Sequence, residues 1–151
     1  RQAWCPSSPV FRQKALELVT AMAERYGEHP ALALWHVSNE LGCHNALCYC
    51  DASAVAFRGW LRQRYGTLDA LNAAWGTAFW SQRYGTWEDI LPPRATRSAG
   101  NPAHLLDFKR FSSDALLDYY RAEESVLRAR SSAPITTNLM VTAHIQTQDY
   151  W

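Results

Sequence analysis

Apolar residues recur every three or four positions in four segments of the chain, the pattern of helices that bury one face. The first segment begins at Ser8, which is suited to cap a helix, and continues through Pro9, which is suited to its first position. Gly27 is predicted to end this helix in a left-handed conformation. The positions predicted to be buried are Phe11, Ala15, Leu18, Met22 and Tyr26.

Three further helices are predicted downstream. One follows Asp51, a candidate N-cap, a short one spans 67–76, and the longest opens at Asn101 and runs to about Arg130. The inward positions predicted for the first of these are Ala54, Phe57, Leu61 and Tyr65, and those for the longest are Leu105, Phe108, Ser112, Ala115, Tyr119, Ala122 and Val126. The segment 77–100 has no apolar period and is predicted to be an irregular loop.

Two apolar segments are predicted to be strands, "ALALWHVS" at 31–38 and "ITTNLMV" at 135–141. The first is apolar on both alternating faces, which is typical of a parallel sheet covered by helices. The order of helices and strands therefore indicates an α/β fold with parallel strands and right-handed crossovers. Because a (β/α)8 TIM barrel needs about 250 residues, the chain is expected to be a partial barrel. Residues 1–151 would then be one domain fragment with about two strands and their helices, cut from something larger.

Composition and charge limit the classes of function. The chain has 151 residues, 48% of them hydrophobic, and a formal net charge of +1, which is a globular composition. Its basic residues are scattered and form no stripe that would neutralise phosphates, so nucleic acid is not the expected partner. No segment has the roughly 18 consecutive apolar residues of a membrane helix. These features predict a cytoplasmic protein.

The candidate catalytic group is Glu40, which with Asn39 directly follows the first predicted strand. In barrels, catalytic side chains lie at the carboxyl ends of strands, where the loops converge. A carboxylic acid that is partly buried near Trp35 would suit a general acid, and Asn39 could bind a substrate hydroxyl. The alternative is a glutamate that caps the loop or pairs with an arginine.

Three long motifs carry a resemblance to the catalytic domain of family-42 glycoside hydrolases, the β-galactosidases: "WHVSNE", "NAAWGTAFWSQRY" and "LDFKRFSSD". The resemblance implies a (β/α)8 barrel followed by two smaller domains, and hydrolysis of terminal non-reducing β-D-galactosyl residues with retention of configuration. It implies a galactoside substrate. It also implies a homotrimer, an assembly that members of the family often form. It makes Glu40 the general acid/base and Asn39 a sugar-binding residue. Arg1, four residues before Cys5, matches the family's substrate-binding arginine.

Retention requires a second carboxyl group, about 5–5.5 Å from the first, as nucleophile. The other acidic residues are poor candidates, since they lie on predicted helices or in the long loop: Glu17, Glu24, Glu88, Glu123 and Glu124. Asp149 follows the second predicted strand, but the resemblance gives it no role. In the family the nucleophile is a glutamate at the end of a later strand, beyond Trp151. The chain alone is therefore expected not to hydrolyse substrate.

The four cysteines, Cys5, Cys43, Cys48 and Cys50, allow three interpretations: disulfides, buried free thiols or a zinc site. The resemblance implies a structural zinc ion with Cys5, Cys48 and Cys50 as ligands. Ser53 stands at the family's fourth cysteine position, so the zinc depends on a substitute such as Cys43, His44 or Asp51. Other family members lack the cluster and keep the barrel.

Three alternative functions remain open from the sequence. One is another retaining barrel glycosidase with the same acid/base position. The second is a non-catalytic, thiol-rich zinc-binding or interaction module in which Glu40 is structural. The third is a truncated, inactive remnant, which the missing second carboxylate would also explain.

Overall fold

The computed structural model describes residues 4–43, 46–96 and 98–139. Its four helices are α1 (Pro9–Tyr26), α2 (Asp51–Tyr65), α3 (Leu68–Trp75) and α4 (Pro102–Arg128), and its two strands are β1 (Trp35–His36) and β2 (Ile135–Thr136). The loop between α3 and α4 contains two short 3-10 turns, Phe79–Ser81 and Trp87–Asp89. Within the described ranges, no helix combines the length and the apolar character that a membrane crossing would need.

The predicted helices are confirmed, and side chains cap three of them. The Ser8 hydroxyl accepts a hydrogen bond from the Phe11 N–H at 3.3 Å, and the Asn101 side chain accepts one from the Ala103 N–H at 2.9 Å. Thr67 caps α3 in the same way. The N-cap of α2 is Cys50 and not Asp51, which lies in the first turn, where its negative charge favours the helix dipole.

Gly27 ends α1 as predicted, but the left-handed conformation predicted for it was wrong. Gly27 has a right-handed conformation, with φ of −57°. A glycine is required there because a Cβ would lie 2.5 Å from the carbonyl oxygens of Ala23 and Arg130. The close approach of the end of α1 to the end of α4 explains this residue.

The two strands are parallel, as predicted, but much shorter within the described residues, and positions 140 and 141 of the second predicted strand lie outside them. Trp35 pairs with Ile135 and His36 with Thr136. The Leu32 N–H bonds to the His29 carbonyl, which keeps the start of the predicted strand in a turn. Burial alternates along β1, since Trp35 and Val37 are buried while His36 is exposed, so the expected burial of both faces was wrong.

Two apolar clusters form the core. The larger joins α2, α3, α4 and the loop before α4, and its buried members are Phe57, Leu61, Leu71, Trp75, Ile90, Phe108 and Phe111. The smaller lies under β1 and contains Ala23, Trp35, Val37 and Leu127. The buried face of α2 therefore agrees with the prediction at Ala54, Phe57 and Leu61.

Parts of the two other predicted faces were wrong. In α1, Leu18, Met22 and Tyr26 are exposed, because the helix turns Ala23 toward the small cluster. In α4, Leu105 is exposed, because the face that meets the other helices includes Asp107 and Phe111 beside the predicted Phe108.

Candidate active site

The carboxyl ends of β1 and β2 lie side by side. The Trp35 N–H bonds to the Pro134 carbonyl at 2.9 Å, and the Val37 N–H bonds to the Thr136 carbonyl at 2.8 Å. Just past these pairs, the Glu40 N–H bonds to the side-chain oxygen of Asn138 at 3.1 Å. Asn39 and Glu40 thus stand at the carboxyl end of a parallel strand, as the sequence predicted.

The backbone around Glu40 has an uncommon conformation. Ser38 has φ of 59° and Glu40 has φ of 47°, both in the left-handed region that residues other than glycine rarely adopt. The Cys43 N–H bonds to the Glu40 carbonyl at 2.8 Å and closes the turn that follows. Such conformations persist only where neighbouring contacts hold them, and they are frequent at functional sites.

The side chains of the predicted pair differ in exposure. Asn39 is exposed and Glu40 is half-buried. Arg1, the third predicted sugar contact, lies outside the described residues. The structure therefore places two of the three residues together.

The partner of the Glu40 carboxylate is the buried thiol of Cys43. Burial raises the pKa of Cys43, and the hydrogen bond with Glu40 and the charge of Glu40 raise that pKa further. The thiol is thus a neutral donor to the carboxylate. Within the described ranges, no arginine forms an ion pair with Glu40, which removes one of the structural alternatives for this residue there.

The other acidic residues considered as nucleophiles form ion pairs or hydrogen bonds within the fold, where the structure describes them. Four are in surface ion pairs: Glu17 with Lys14, Glu24 with Arg130, Glu88 with Arg62 and Glu124 with Arg128. Glu123 is buried on α4 and accepts a hydrogen bond from the Tyr119 hydroxyl at 2.5 Å, and burial raises its pKa. It lines a cavity of about 260 Å³ between α1, α4 and β1 that neither Asn39 nor Glu40 lines. Asp149 lies outside the described residues.

A cluster of three thiols lies where the chain enters α2. The sulfur atoms of Cys5, Cys48 and Cys50 all lie within 4.8 Å of one another. Cys48 and Cys50 are 3.4 Å apart, and Cys50 and Cys5 are 3.5 Å apart. All four cysteines are free thiols in the structure.

Ser53 completes this cluster. Its hydroxyl oxygen lies 3.2 Å from the Cys5 sulfur and 3.9 Å from the Cys50 sulfur. Burial raises the pKa of Cys5 to about 11. Burial also acts to raise the pKa of Cys50, but hydrogen bonds from the Ser53 N–H and from Cys48 and Cys5 outweigh it and lower that pKa to about 7.

The cluster fits a tetrahedral metal ion. Zinc–sulfur bonds of about 2.3 Å put the sulfur atoms of a tetrahedral site about 3.8 Å apart, close to the spacings found here. Ser53 offers an oxygen for the fourth position. Cys43 bonds to Glu40 instead and Asp51 is not part of the cluster, so neither is the substitute ligand that the sequence left open. His44, the other candidate, lies outside the described residues.

Sequence reasoning missed two residues of these sites, Asn138 and Ser53 as a cluster member. Asn138 is a polar residue at the end of an apolar strand, and this signal was available in "ITTNLMV". It becomes informative only when β2 is known to pair with β1. Ser53 was noted only as a departure, because its distance from Cys5 is a property of the fold.

Comparisons with known proteins identify the family. The profile of glycoside hydrolase family 42, described as beta-galactosidase, matches residues 1–151. The chain is 56% identical over 152 residues to a beta-galactosidase of Arthrobacter sp, covering 100% of this chain and 22% of that protein. It is 50% identical over 153 residues to beta-galactosidase BbgII of Bifidobacterium bifidum, covering 99% of this chain and 22% of that protein.

A solved structure supports the same conclusion. The beta-galactosidase of the psychrophilic Marinomonas ef1 superposes with a TM-score of 0.91 at 39% identity, covering 99% of this chain and 24% of that one. The predicted partial TIM barrel is confirmed by this match. This chain, which spans less than a quarter of the length of these relatives, belongs to glycoside hydrolase family 42, the beta-galactosidases.

Proposed function

We propose that the chain supplies the acid/base side of the active site of a retaining β-galactosidase that removes terminal non-reducing β-D-galactosyl residues. One observation carries the proposal: Glu40 stands at the carboxyl end of a parallel strand, with its backbone bonded across to the end of the next one. Membership of family 42 indicates the reaction, hydrolysis of a glycosidic bond, and the position of Glu40 suits its general acid/base. Membership also favours a galactosidase over the other barrel glycosidases.

The proposed reaction has two steps. In the first, Glu40 donates a proton to the glycosidic oxygen while a second carboxylate attacks the anomeric carbon and the leaving group departs. In the second, the ionised Glu40 takes a proton from water, which attacks the anomeric carbon and releases galactose with its original configuration. Asn39 and Arg1 are proposed to bind sugar hydroxyls. The second carboxylate is proposed to lie beyond residue 151, as are the rest of the barrel and two smaller domains, and the homotrimer stays a prediction.

A graft tests this function. In the grafted enzyme, residues 1–151 of this chain replace the matching segment of the Arthrobacter relative, which is 56% identical to it. We expect the grafted enzyme to hydrolyse nitrophenyl β-galactoside and lactose, and to release β-galactose first, as followed by proton NMR of the anomers. A folded grafted enzyme with no galactosidase activity, beside an active parent, would favour the non-catalytic module or the inactive remnant.

We also propose that the thiol cluster holds a structural zinc ion, with Cys5, Cys48 and Cys50 as ligands and an oxygen of Ser53, or a water beside it, in the fourth position. The donor set supports this, since thiolates are preferred zinc ligands. Such an ion would tie the segment before α1 to the start of α2. It would stabilise the loop that follows Glu40, and it would have no part in the reaction.

Metal analysis of the purified chain checks the zinc proposal. We expect about one zinc per chain, lost in Cys5→Ala and in Cys50→Ala. Ser53→Cys should release zinc to a chelator more slowly, because a fourth thiolate closes the site. Cys43→Ala is the matched control, since Cys43 is outside the cluster, and should keep its zinc. A zinc content near zero that does not rise when zinc is added would refute the site.

A further inference from the structure

Asn138 continues the hydrogen bonding between the two strands at the point where their backbones part. The pairs from Trp35 to Pro134 and from Val37 to Thr136 advance two residues on each strand, so the next pair of the register would join residue 39 to residue 138. The left-handed Ser38 breaks the register instead. The N–H that reaches residue 138 is that of Glu40, and it is accepted by the side chain of Asn138.

This hydrogen bond acts on the residue whose conformation needs support. Glu40 has φ of 47°, and a left-handed glutamate is held only by its surroundings. Two backbone contacts of Glu40 are present: its N–H bonds to Asn138, 98 residues away, and its carbonyl accepts the Cys43 N–H at 2.8 Å. Only the first ties the turn to the sheet, because the second is internal to the turn.

We propose that Asn138 is a positioning residue that fixes the direction of the Glu40 side chain by holding its backbone to the end of β2. The inference rests on the proposed role of Glu40 as the proton donor. General acid catalysis needs the donor within hydrogen-bond reach of the leaving oxygen, and a shift of about 1 Å is enough to cost much of its effect.

The residue type suits this task. The Glu40 N–H requires an acceptor, and the amide oxygen of asparagine supplies one without adding a negative charge beside the catalytic carboxylate. Asn138→Leu keeps nearly the same shape and removes the acceptor. Asn138→Asp keeps an acceptor oxygen at the same place and is the conservative variant.

The test compares two substrates in the grafted enzyme. Lactose has a leaving group that needs a proton, whereas 2,4-dinitrophenolate departs without one. We expect Asn138→Leu to lower kcat/KM for lactose by about 10- to 100-fold. We expect kcat/KM for 2,4-dinitrophenyl β-galactoside to change less than about threefold. Asn138→Asp should recover only part of the lactose activity, because it keeps the acceptor oxygen but adds a negative charge beside Glu40.

Asn101→Ala is the matched control. Asn101 is another asparagine whose side chain binds backbone groups: it accepts from the Ala103 N–H and donates to the Trp75 carbonyl at 2.8 Å. It differs in capping α4, away from Glu40. Asn101→Ala should lower thermal stability. Any change in kcat/KM should be the same for lactose and for 2,4-dinitrophenyl β-galactoside.

A second measurement needs no activity. In the grafted enzyme, Asn138→Leu should speed hydrogen exchange of the Glu40 amide at least about tenfold, while the Val37 amide, bonded to the Thr136 carbonyl, should stay protected.

The outcomes separate the inference from the function on which it depends. If Glu40→Gln is selective for the leaving group but Asn138→Leu lowers activity equally on both substrates, Asn138 is only structural and the inference is wrong. If Glu40→Gln itself shows no selectivity, the proposed function fails first. An unchanged exchange rate of the Glu40 amide in Asn138→Leu would overturn the inference, whatever the activities of the grafted enzyme.

Discussion

Replacing Glu40 by glutamine in the grafted enzyme is expected to lower kcat/KM for lactose by about 10³-fold. Glutamine has nearly the same shape but cannot donate a proton to the glycosidic oxygen, so a sugar leaving group must depart as an alkoxide. For 2,4-dinitrophenyl β-galactoside, whose leaving group is stable as an anion, kcat/KM should change by less than about threefold. This difference between substrates is the signature of a missing acid.

The second step of the reaction gives an independent readout. Without a general base, water attacks the galactosyl-enzyme slowly, so kcat for the dinitrophenyl substrate should fall together with KM. Azide needs no base, because it attacks the anomeric carbon as an anion and displaces the enzyme carboxylate. Adding azide should therefore restore kcat and yield β-galactosyl azide, detectable by mass spectrometry.

Glu24→Gln is the control for this experiment. Glu24 is an exposed glutamate on α1 that pairs with Arg130 at 3.6 Å, and its removal should leave both substrates unaffected. Equal losses on both substrates in Glu40→Gln, with no response to azide, would mean that Glu40 holds the loop and does not transfer a proton. The acid/base role, and with it the proposed function of this site, would then be wrong.

The loop after Glu40 is held at three points, which connects the two candidate sites. Asn138 binds the Glu40 N–H, the buried Cys43 thiol bonds to the Glu40 carboxylate, and the thiol cluster begins five residues after Cys43. Each contact restrains a different part of the loop that follows Glu40. The cysteines that follow the Asn-Glu pair thus make structural contacts, Cys43 with Glu40, and Cys48 and Cys50 within the thiol cluster.

The sequence predicted those parts of the fold that depend on local chemistry. Ser8 was predicted to cap its helix, and helices were predicted to start at Thr67 and Asn101. In all three the side-chain oxygen reaches a backbone N–H two or three residues ahead. Glu40 could be placed because it directly follows an apolar strand. Such features need no knowledge of what lies across the fold.

Features that depend on distant partners could not be predicted in this way. Gly27 is explained by the carbonyl of Arg130, and the role of Asn138 by the turn at Glu40. The exposure of Leu18 and Leu105 follows from which side of each helix meets its neighbours. Periodicity shows that a helix has an apolar face, but neighbouring residues on that face compete for the buried positions.

The role of Asp107 also depends on distant partners and could not be predicted from the sequence. Its replacement by alanine is expected to lower the free energy of unfolding by about 3–5 kcal/mol. Its carboxylate lies in the main core, with the side chain 2% exposed. It accepts hydrogen bonds from the Trp75 ring N–H at 2.9 Å and the Tyr65 hydroxyl at 2.5 Å, and Arg110 approaches it at 3.1 Å. Burial and the bond to Asp107 raise the pKa of Tyr65, so its hydroxyl stays a donor.

Most of this loss should come from the buried Trp75 ring N–H and the half-buried Tyr65 hydroxyl, because Arg110 is 48% exposed and can return to water. Alanine would leave the Trp75 N–H without an acceptor in an apolar cluster. An asparagine in place of the aspartate would keep one acceptor oxygen, so Asp107→Asn should cost about 1–3 kcal/mol. Urea unfolding of the chain, followed by circular dichroism, measures both values, and thermal inactivation of the grafted enzyme gives their order independently.

Asp114→Ala provides a closely matched control for Asp107→Ala. Asp114 also accepts a hydrogen bond from a tryptophan ring, that of Trp60 at 2.7 Å, but this pair is exposed to water. Its removal should cost no more than about 1 kcal/mol, because water can replace the lost partner. Since the two pairs have the same chemistry and nearly the same length, the difference between the variants isolates the effect of burial. Equal losses in both would show that the carboxylate of Asp107 does not hold the contact between α2, α3 and α4.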